Sequence, residues 1–165
     1  VSNVKPDGTM YTEEKDKDMV SVLKSTHYWH ADSTYQPLQA KGSVFCAEVI
    51  PEGGTQTGFA DMRAAYDALN PAMRERVENL AGYHSYYRKQ ATRGNSISTD
   101  TGKHILNLGG NHGAGLYEGK ALLRPLVKVH PETGRKSLLL GDHIFAIEGM
   151  PDDDAQLASI ARMVP

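Results

Sequence analysis

The sequence predicts an α+β fold whose core is mainly β, an antiparallel sandwich or jelly roll with a helical insertion. Three observations carry this. Strand-like stretches occur without the alternating strand and helix rhythm of a doubly wound sheet, two capped helices follow one another directly, and long polar segments separate the rest. At 165 residues the chain is long enough for one core and too short for two.

Taken in order, Val1 to Val4 read as the end of a strand. Residues 5–20 combine Pro6-Asp7-Gly8 with the run Glu13-Glu14-Lys15-Asp16-Lys17-Asp18 and lack a sustained apolar period, which predicts an exposed loop. Gly42 to Ile50 are small, β-branched or aromatic and end at Pro51-Glu52-Gly53-Gly54, the pattern of a buried strand closed by a turn. Cys46, the single cysteine, falls inside that run and is expected as a small buried hydrophobe, and with no second cysteine an internal disulfide is excluded.

Asp61 is placed to cap a helix in which Met62, Ala65, Tyr66 and Leu69 share one face. Asn70-Pro71 restarts the pattern as N-cap and first helical residue, with Met73, Val77 and Leu80 on a face and Gly82 as the stop. Residues 88–121, rich in Gly, Ser, Thr and Asn, predict a long irregular excursion of the kind used for lids and binding loops. Leu122 to Val129 and Lys136 to Leu140 read as strands of a hairpin turned by Pro131-Glu132-Thr133-Gly134. Asp152-Asp153-Asp154 lead a last helix carrying Leu157, Ile160, Ala161 and Val164. The start lacks methionine and the end follows directly on a helical pattern, so residues 1–165 are expected to be the central part of a single, incomplete domain.

The charge balance, 18 basic against 20 acidic residues with no basic stripe, argues against nucleic acid as a partner. No apolar run is long enough to cross a bilayer and the first residues lack signal-peptide layout, so no membrane partner and a cytoplasmic location are expected.

The chemistry concentrates at Tyr28-Trp29-His30-Ala31-Asp32-Ser33-Thr34-Tyr35. An imidazole and a carboxylate two residues apart point to the same face of an extended chain. Such a pair can occupy adjacent corners of a facial triad around non-haem iron(II), leaving positions open for other ligands. Taken alone, a His-x-Asp pair is more often a surface hydrogen-bonded pair. The ordered neighbours raise its weight: an aromatic residue before the histidine, hydroxyls after the aspartate, then a strand and a Gly-Gly turn.

In that context Trp29-His30-Ala31-Asp32-Ser33-Thr34-Tyr35 resembles the metal motif of the taurine dioxygenase and 2,4-dichlorophenoxyacetate dioxygenase family. The segment from Gly53 to Leu69 resembles the family's turn and helix, and Arg124 to Arg135 is similar to its strand and hairpin. The likeness extends from the first residues to about Met150, most strongly to the aryloxyalkanoate branch. It implies a partial double-stranded β-helix, iron(II) held by His30 and Asp32, 2-oxoglutarate as cosubstrate and O2 as oxidant. It further implies a small anionic substrate, a carboxylate or sulfonate such as an aryloxyalkanoate, which is hydroxylated as 2-oxoglutarate loses carbon dioxide to give succinate. A hydroxylated phenoxyalkanoate is a hemiacetal that falls apart to a phenol and an oxo acid.

The family's Gly-Gly-x-Thr turn gives a threonine hydroxyl to a 2-oxoglutarate carboxylate. Here it reads Gly53-Gly54-Thr55-Gln56-Thr57, and counting back from Phe59-Ala60-Asp61-Met62 favours Thr57, with Thr55 the alternative. The family's second histidine and an arginine for the far carboxylate belong to a late strand and are expected beyond Pro165. None of His27, His84, His104, His112, His130 and His143 has the pattern of that histidine. His130 is expected to be structural, and His84, beside Tyr86 and Tyr87, either lines the pocket or packs. Gly109 to Ala121 imitates a phosphate loop but lacks the required first glycine and the hydroxyl after Lys120.

Two rival readings stay open: a non-catalytic jelly-roll binding module that has lost the complete iron site, and a zinc hydrolase using the same two ligands. Residues 1–165 alone are expected to bind iron weakly and to self-associate through open strand edges, a homo-oligomer among the outcomes.

Overall fold

The computed structural model describes residues 3–25, 27–47, 52–54, 56–86 and 121–150. The irregular excursion expected at 88–121, except for Ala121, and the last helix expected at 152–164 lie outside the described residues.

Two helices and a hairpin form one packing unit. Helix α2, Met62–Ala68, begins where Asp61 accepts the amides of Arg63 and Ala64, and α3, Pro71–Glu78, where Asn70 accepts the amide of Met73. A proline at the first helical position removes an amide that would have no partner there. Strands β3, Val127–Val129, and β4, Lys136–Leu138, pair antiparallel with Val127 opposite Leu138. Their turn uses Gly134 at φ +68°, and the His130 ring accepts the amides of Glu132 and Thr133 at 3.3 Å each. His130 thus caps the turn, as expected. Ala65, Tyr66, Leu69 and Val77 from the helices meet Val127 and Leu138 in a shared apolar cluster.

The second unit is a three-stranded antiparallel sheet in the order β2-β1-β5, comprising β1, Ala81–His84, β2, Leu122–Pro125, and β5, Ile144–Ile147. Pairing of β1 with β5 is irregular between Tyr83 and His84. The extra residue lets Ile144 and Ile147 both face the cluster around Leu126. Leu126 is fully buried and joins the two units: its amide donates to the Leu80 carbonyl and its own carbonyl accepts from Leu139. The predicted single strand from Leu122 to Val129 is therefore two, broken at Leu126 because its halves belong to different sheets.

Three further expectations are corrected. The loop expected at residues 5–20 runs into a helix, α1, Lys17–Ser25, on which Val20 and Leu23 are half-buried. A boundary drawn at 20 cut through its short apolar stripe. The charged run is also less free than expected, since Lys5 pairs with Asp16 at 2.8 Å and Lys24 with Glu13. Gly82 does not stop α3, which ends at Glu78 with Asn79 as cap. It lies inside β1, where a β-carbon would stand 3.0 Å from Ile144 Cγ2 and 3.3 Å from Leu126 Cδ2.

The third correction is the core strand at Gly42 to Ile50. Residues 42–47 are irregular and exposed, with Val44 at 99% and Phe45 at 76%, and Cys46 is exposed rather than buried. Among the described residues no strand pairs with this segment, and β-propensity marks suitability for a sheet without supplying the partner. The coarse class, helices with antiparallel sheets, stands. Among the described residues no helix is long and apolar enough to cross a membrane.

Candidate metal centre

Residues 29–31 have no regular secondary structure, and a turn follows at 32–35. Ser33 sits at φ +57°, a conformation uncommon outside glycine. It is held there by local bonds: its hydroxyl accepts the Ala40 amide at 3.1 Å and its carbonyl accepts the Gln36 amide at 3.0 Å. Just before this bend the two side chains converge, His30 Nε2 lying 3.4 Å from Asp32 Oδ1.

The other ring nitrogen of His30, Nδ1, is 2.7 Å from the Tyr28 carbonyl oxygen. A carbonyl only accepts, so Nδ1 carries a proton, and Nε2, on the side of Asp32, is the nitrogen left for a metal. Metal-bound histidines are commonly fixed in this way. With bonds of roughly 2.0–2.2 Å to imidazole nitrogen and carboxylate oxygen, one cation can touch both atoms. The donor set, one neutral nitrogen and one anionic oxygen, suits a divalent ion of intermediate hardness. Among the described residues no group of three His, Cys, Asp or Glu side chains converges to hold a metal ion.

Around this pair the fold assembles a small aromatic wall. His143, buried just before β5, sets its ring against His30 with centroids 5.6 Å apart, against Tyr35 at 4.6 Å and against Tyr86 at 6.0 Å. Tyr35 and Tyr86 also meet, at 5.5 Å. Burial first, then the charge of Asp32 and the neighbouring Tyr86, pushes the Tyr35 hydroxyl up to about 12, so it keeps its proton at ordinary pH. Neither His143 nor Tyr86 could be assigned to this place from sequence, because pairing of β1 with β5 brings them there.

One layer deeper, His84 is 2% exposed and neither ring nitrogen finds a hydrogen-bond partner among the described residues. Burial, followed by Arg124 and then His143, lowers its pKa to about 4. It is a packed, neutral histidine. Arg124, on β2, reaches across to the metal turn, its Nε donating to the Thr34 carbonyl at 2.6 Å and a terminal nitrogen to the Gln36 carbonyl.

Thr57 is exposed. The next residue, Gly58, lies against the indole of Trp29, where a β-carbon would come within 2.8 Å of Cη2, so the threonine adjoins the residue preceding His30. Thr55 lies outside the described residues, as do His104 and His112.

The family described as taurine catabolism dioxygenase TauD, TfdA family matches residues 2–163. An (S)-phenoxypropionate/alpha-ketoglutarate-dioxygenase of Sphingobium herbicidovorans is 50% identical over 156 residues, covering 94% of this chain and 52% of the relative. A protein of the same description from Delftia acidovorans is 47% identical over 153 residues, covering 91% of this chain and 49% of the relative. The crystal structure of AAD-2 in complex with Mn(II) and N-oxalylglycine superposes with a TM-score of 0.75 at 30% identity, covering 99% of this chain and 55% of AAD-2. The chain spans about half the length of the curated relatives it matches. On the match over residues 2–163, the chain belongs to the TauD, TfdA dioxygenase family.

Proposed function

We propose that the protein is an iron(II)- and 2-oxoglutarate-dependent dioxygenase acting on an aryloxyalkanoate, and that these residues form part of a single double-stranded β-helix domain. The observation that carries the reading is the convergence of His30 Nε2 and Asp32 Oδ1 to 3.4 Å, with Nδ1 already engaged, in a chain of this family. The substrate class rests on the two relatives near 50% identity, both described as phenoxypropionate dioxygenases.

In this reading His30 and Asp32 would hold iron(II) and Thr57 would donate its hydroxyl to a carboxylate of 2-oxoglutarate. The bound metal and cosubstrate would supply the oxidising chemistry, in which O2 gives one oxygen atom to 2-oxoglutarate, which becomes succinate and carbon dioxide, and the other to a substrate C–H bond, which is hydroxylated. The protein's part is placement. The Tyr28 carbonyl holds the His30 ring through Nδ1, which leaves Nε2 beside Asp32. Tyr35, Tyr86 and His143 wall one side with rings, and the Tyr35 hydroxyl stays protonated there, so it offers an anionic ligand a donor and no opposing charge.

Anaerobic addition of iron(II) and 2-oxoglutarate to the full-length protein tests the proposal. A visible charge-transfer band that His30→Ala abolishes is the expected result, and admission of O2 should then give succinate release that depends on an aryloxyalkanoate. A folded protein that gives no band, or gives an unchanged one in His30→Ala, refutes it.

A further inference from the structure

Gly141 packs against His30 more closely than a residue with a side chain could. A β-carbon built there would lie 3.0 Å from His30 Cα, 3.3 Å from the Trp29 carbonyl oxygen and 3.4 Å from the Ala31 nitrogen. All three are backbone atoms, which cannot rotate out of the way as a flexible side chain does. Gly141 also has φ +152°, a positive value that side chains disfavour.

The two residues that follow extend the contact. Asp142 donates its amide to the Trp29 carbonyl at 2.9 Å. His143 sets its ring edge-on to the ring of His30, and its carbonyl accepts the Ser85 amide at 3.0 Å, which ties the turn to the end of β1. Three successive residues therefore touch the peptide, the α-carbon and the ring of the His30 segment, and they are themselves anchored to the three-stranded sheet.

We propose that Gly141 is a positioning residue for metal binding: its missing side chain lets the 141–143 turn seat the backbone of His30 so that Nε2 faces Asp32. This rests on the reading of His30 as a metal ligand. A methyl group at 141 forces one of two displacements. Either the His30 α-carbon moves away by a few tenths of an ångström, or the turn withdraws and the Asp142 to Trp29 hydrogen bond lengthens. Both disturb the aim of the imidazole while leaving its chemistry intact.

Gly134 provides a comparison for positive φ without the contact: its φ is +68°, in the milder left-handed region that Ser33 also occupies, and an added β-carbon there meets nothing within 4 Å. Gly134→Ala therefore reports what a positive-φ substitution distant from the metal pair does by itself. In the full-length protein, Mn(II) affinity is measured by titration of the free-ion paramagnetic resonance signal, with folding of the metal-free variants checked by near-ultraviolet circular dichroism. Gly141→Ala is expected to weaken Mn(II) binding by roughly 10- to 100-fold, the range for residues that orient a ligand, and Gly134→Ala to leave it unchanged. Wild-type affinity in folded Gly141→Ala, with His30→Ala weakened, overturns the positioning role alone. Unchanged affinity in His30→Ala removes the ligand reading and the proposal with it. Should Gly141→Ala fail to fold, hydrogen exchange at the Asp142 amide of the wild-type protein decides the matter: slowing on Mn(II) loading is expected, and exchange indifferent to Mn(II) overturns the proposal.

Discussion

Replacing Arg124 with methionine removes the link between strand β2 and the metal turn while keeping most of the apolar stem. The guanidinium donates to the carbonyls of Thr34 and Gln36, two and four residues beyond Asp32. Thr34 is buried, so its carbonyl depends on that donor more than the partly exposed Gln36 carbonyl does. Hydrogen bonds to a charged group contribute about 1.5–3 kcal/mol each, and water can replace part of the second, which gives a destabilisation of about 2–4 kcal/mol. For a domain of this size that corresponds to a fall in Tm of roughly 4–16 °C. Arg124→Lys is expected to recover no more than about half of the loss, because a lysine retains the charge but not the fork that reaches two carbonyls. Urea unfolding with an unchanged m value measures the stability, and Mn(II) titration of the folded variant measures the site, which should bind more weakly as the turn carrying Asp32 loosens. A methionine variant within about 0.5 kcal/mol of wild type, or with unaltered Mn(II) affinity, would refute the reasoning.

Leu126→Ala removes the fully buried residue that joins the two packing units, and its neighbours are held by backbone bonds on both sides. A loss of about 2–5 kcal/mol is expected in urea unfolding, without the specific loss of Mn(II) affinity that Arg124→Met brings. His84 makes stability depend on pH: the unfolded ring takes a proton near pH 6.5, whereas the folded ring resists it until about 4. Its contribution is fully present above pH 6.5 and is lost as pH falls toward 4, by up to about 3 kcal/mol. Urea midpoints across that range should show a shallower acid slope in His84→Phe, and an identical slope counts against the assignment. Asn70→Ala deletes the side-chain oxygen that accepts the Met73 amide at 2.9 Å and should cost about 1 kcal/mol. A thermal scan in which it matches wild type would show that the cap is dispensable.

The elements legible in the sequence are those whose hydrogen bonds close within a few residues. Asp61 and Asn70 could be read as caps because each satisfies amides two or three positions ahead. The hairpin at Pro131 to Gly134 was readable for the same reason, and so was the role of His130 within it. The stretch at 42–47 has the residues of a buried strand and is exposed, because burial needs a partner that its own sequence does not contain. Gly82 shows the converse error. A glycine after a helix resembles a stop, yet its purpose is close contact with Ile144 and Leu126, some 40 to 60 positions away.

The candidate site divides along the same line. The sequence by itself determined that an imidazole and a carboxylate stand two residues apart, among neighbours that point to iron and 2-oxoglutarate. Only the tertiary structure decided how that pair is held: by the Tyr28 carbonyl on Nδ1, and by Gly141, Asp142 and His143 pressed against its backbone and ring. The physical reason is separation along the chain. Spacing of two residues is fixed by covalent geometry, whereas the approach of residue 141 to residue 30 exists only once β1 and β5 have paired and carried the turn to it.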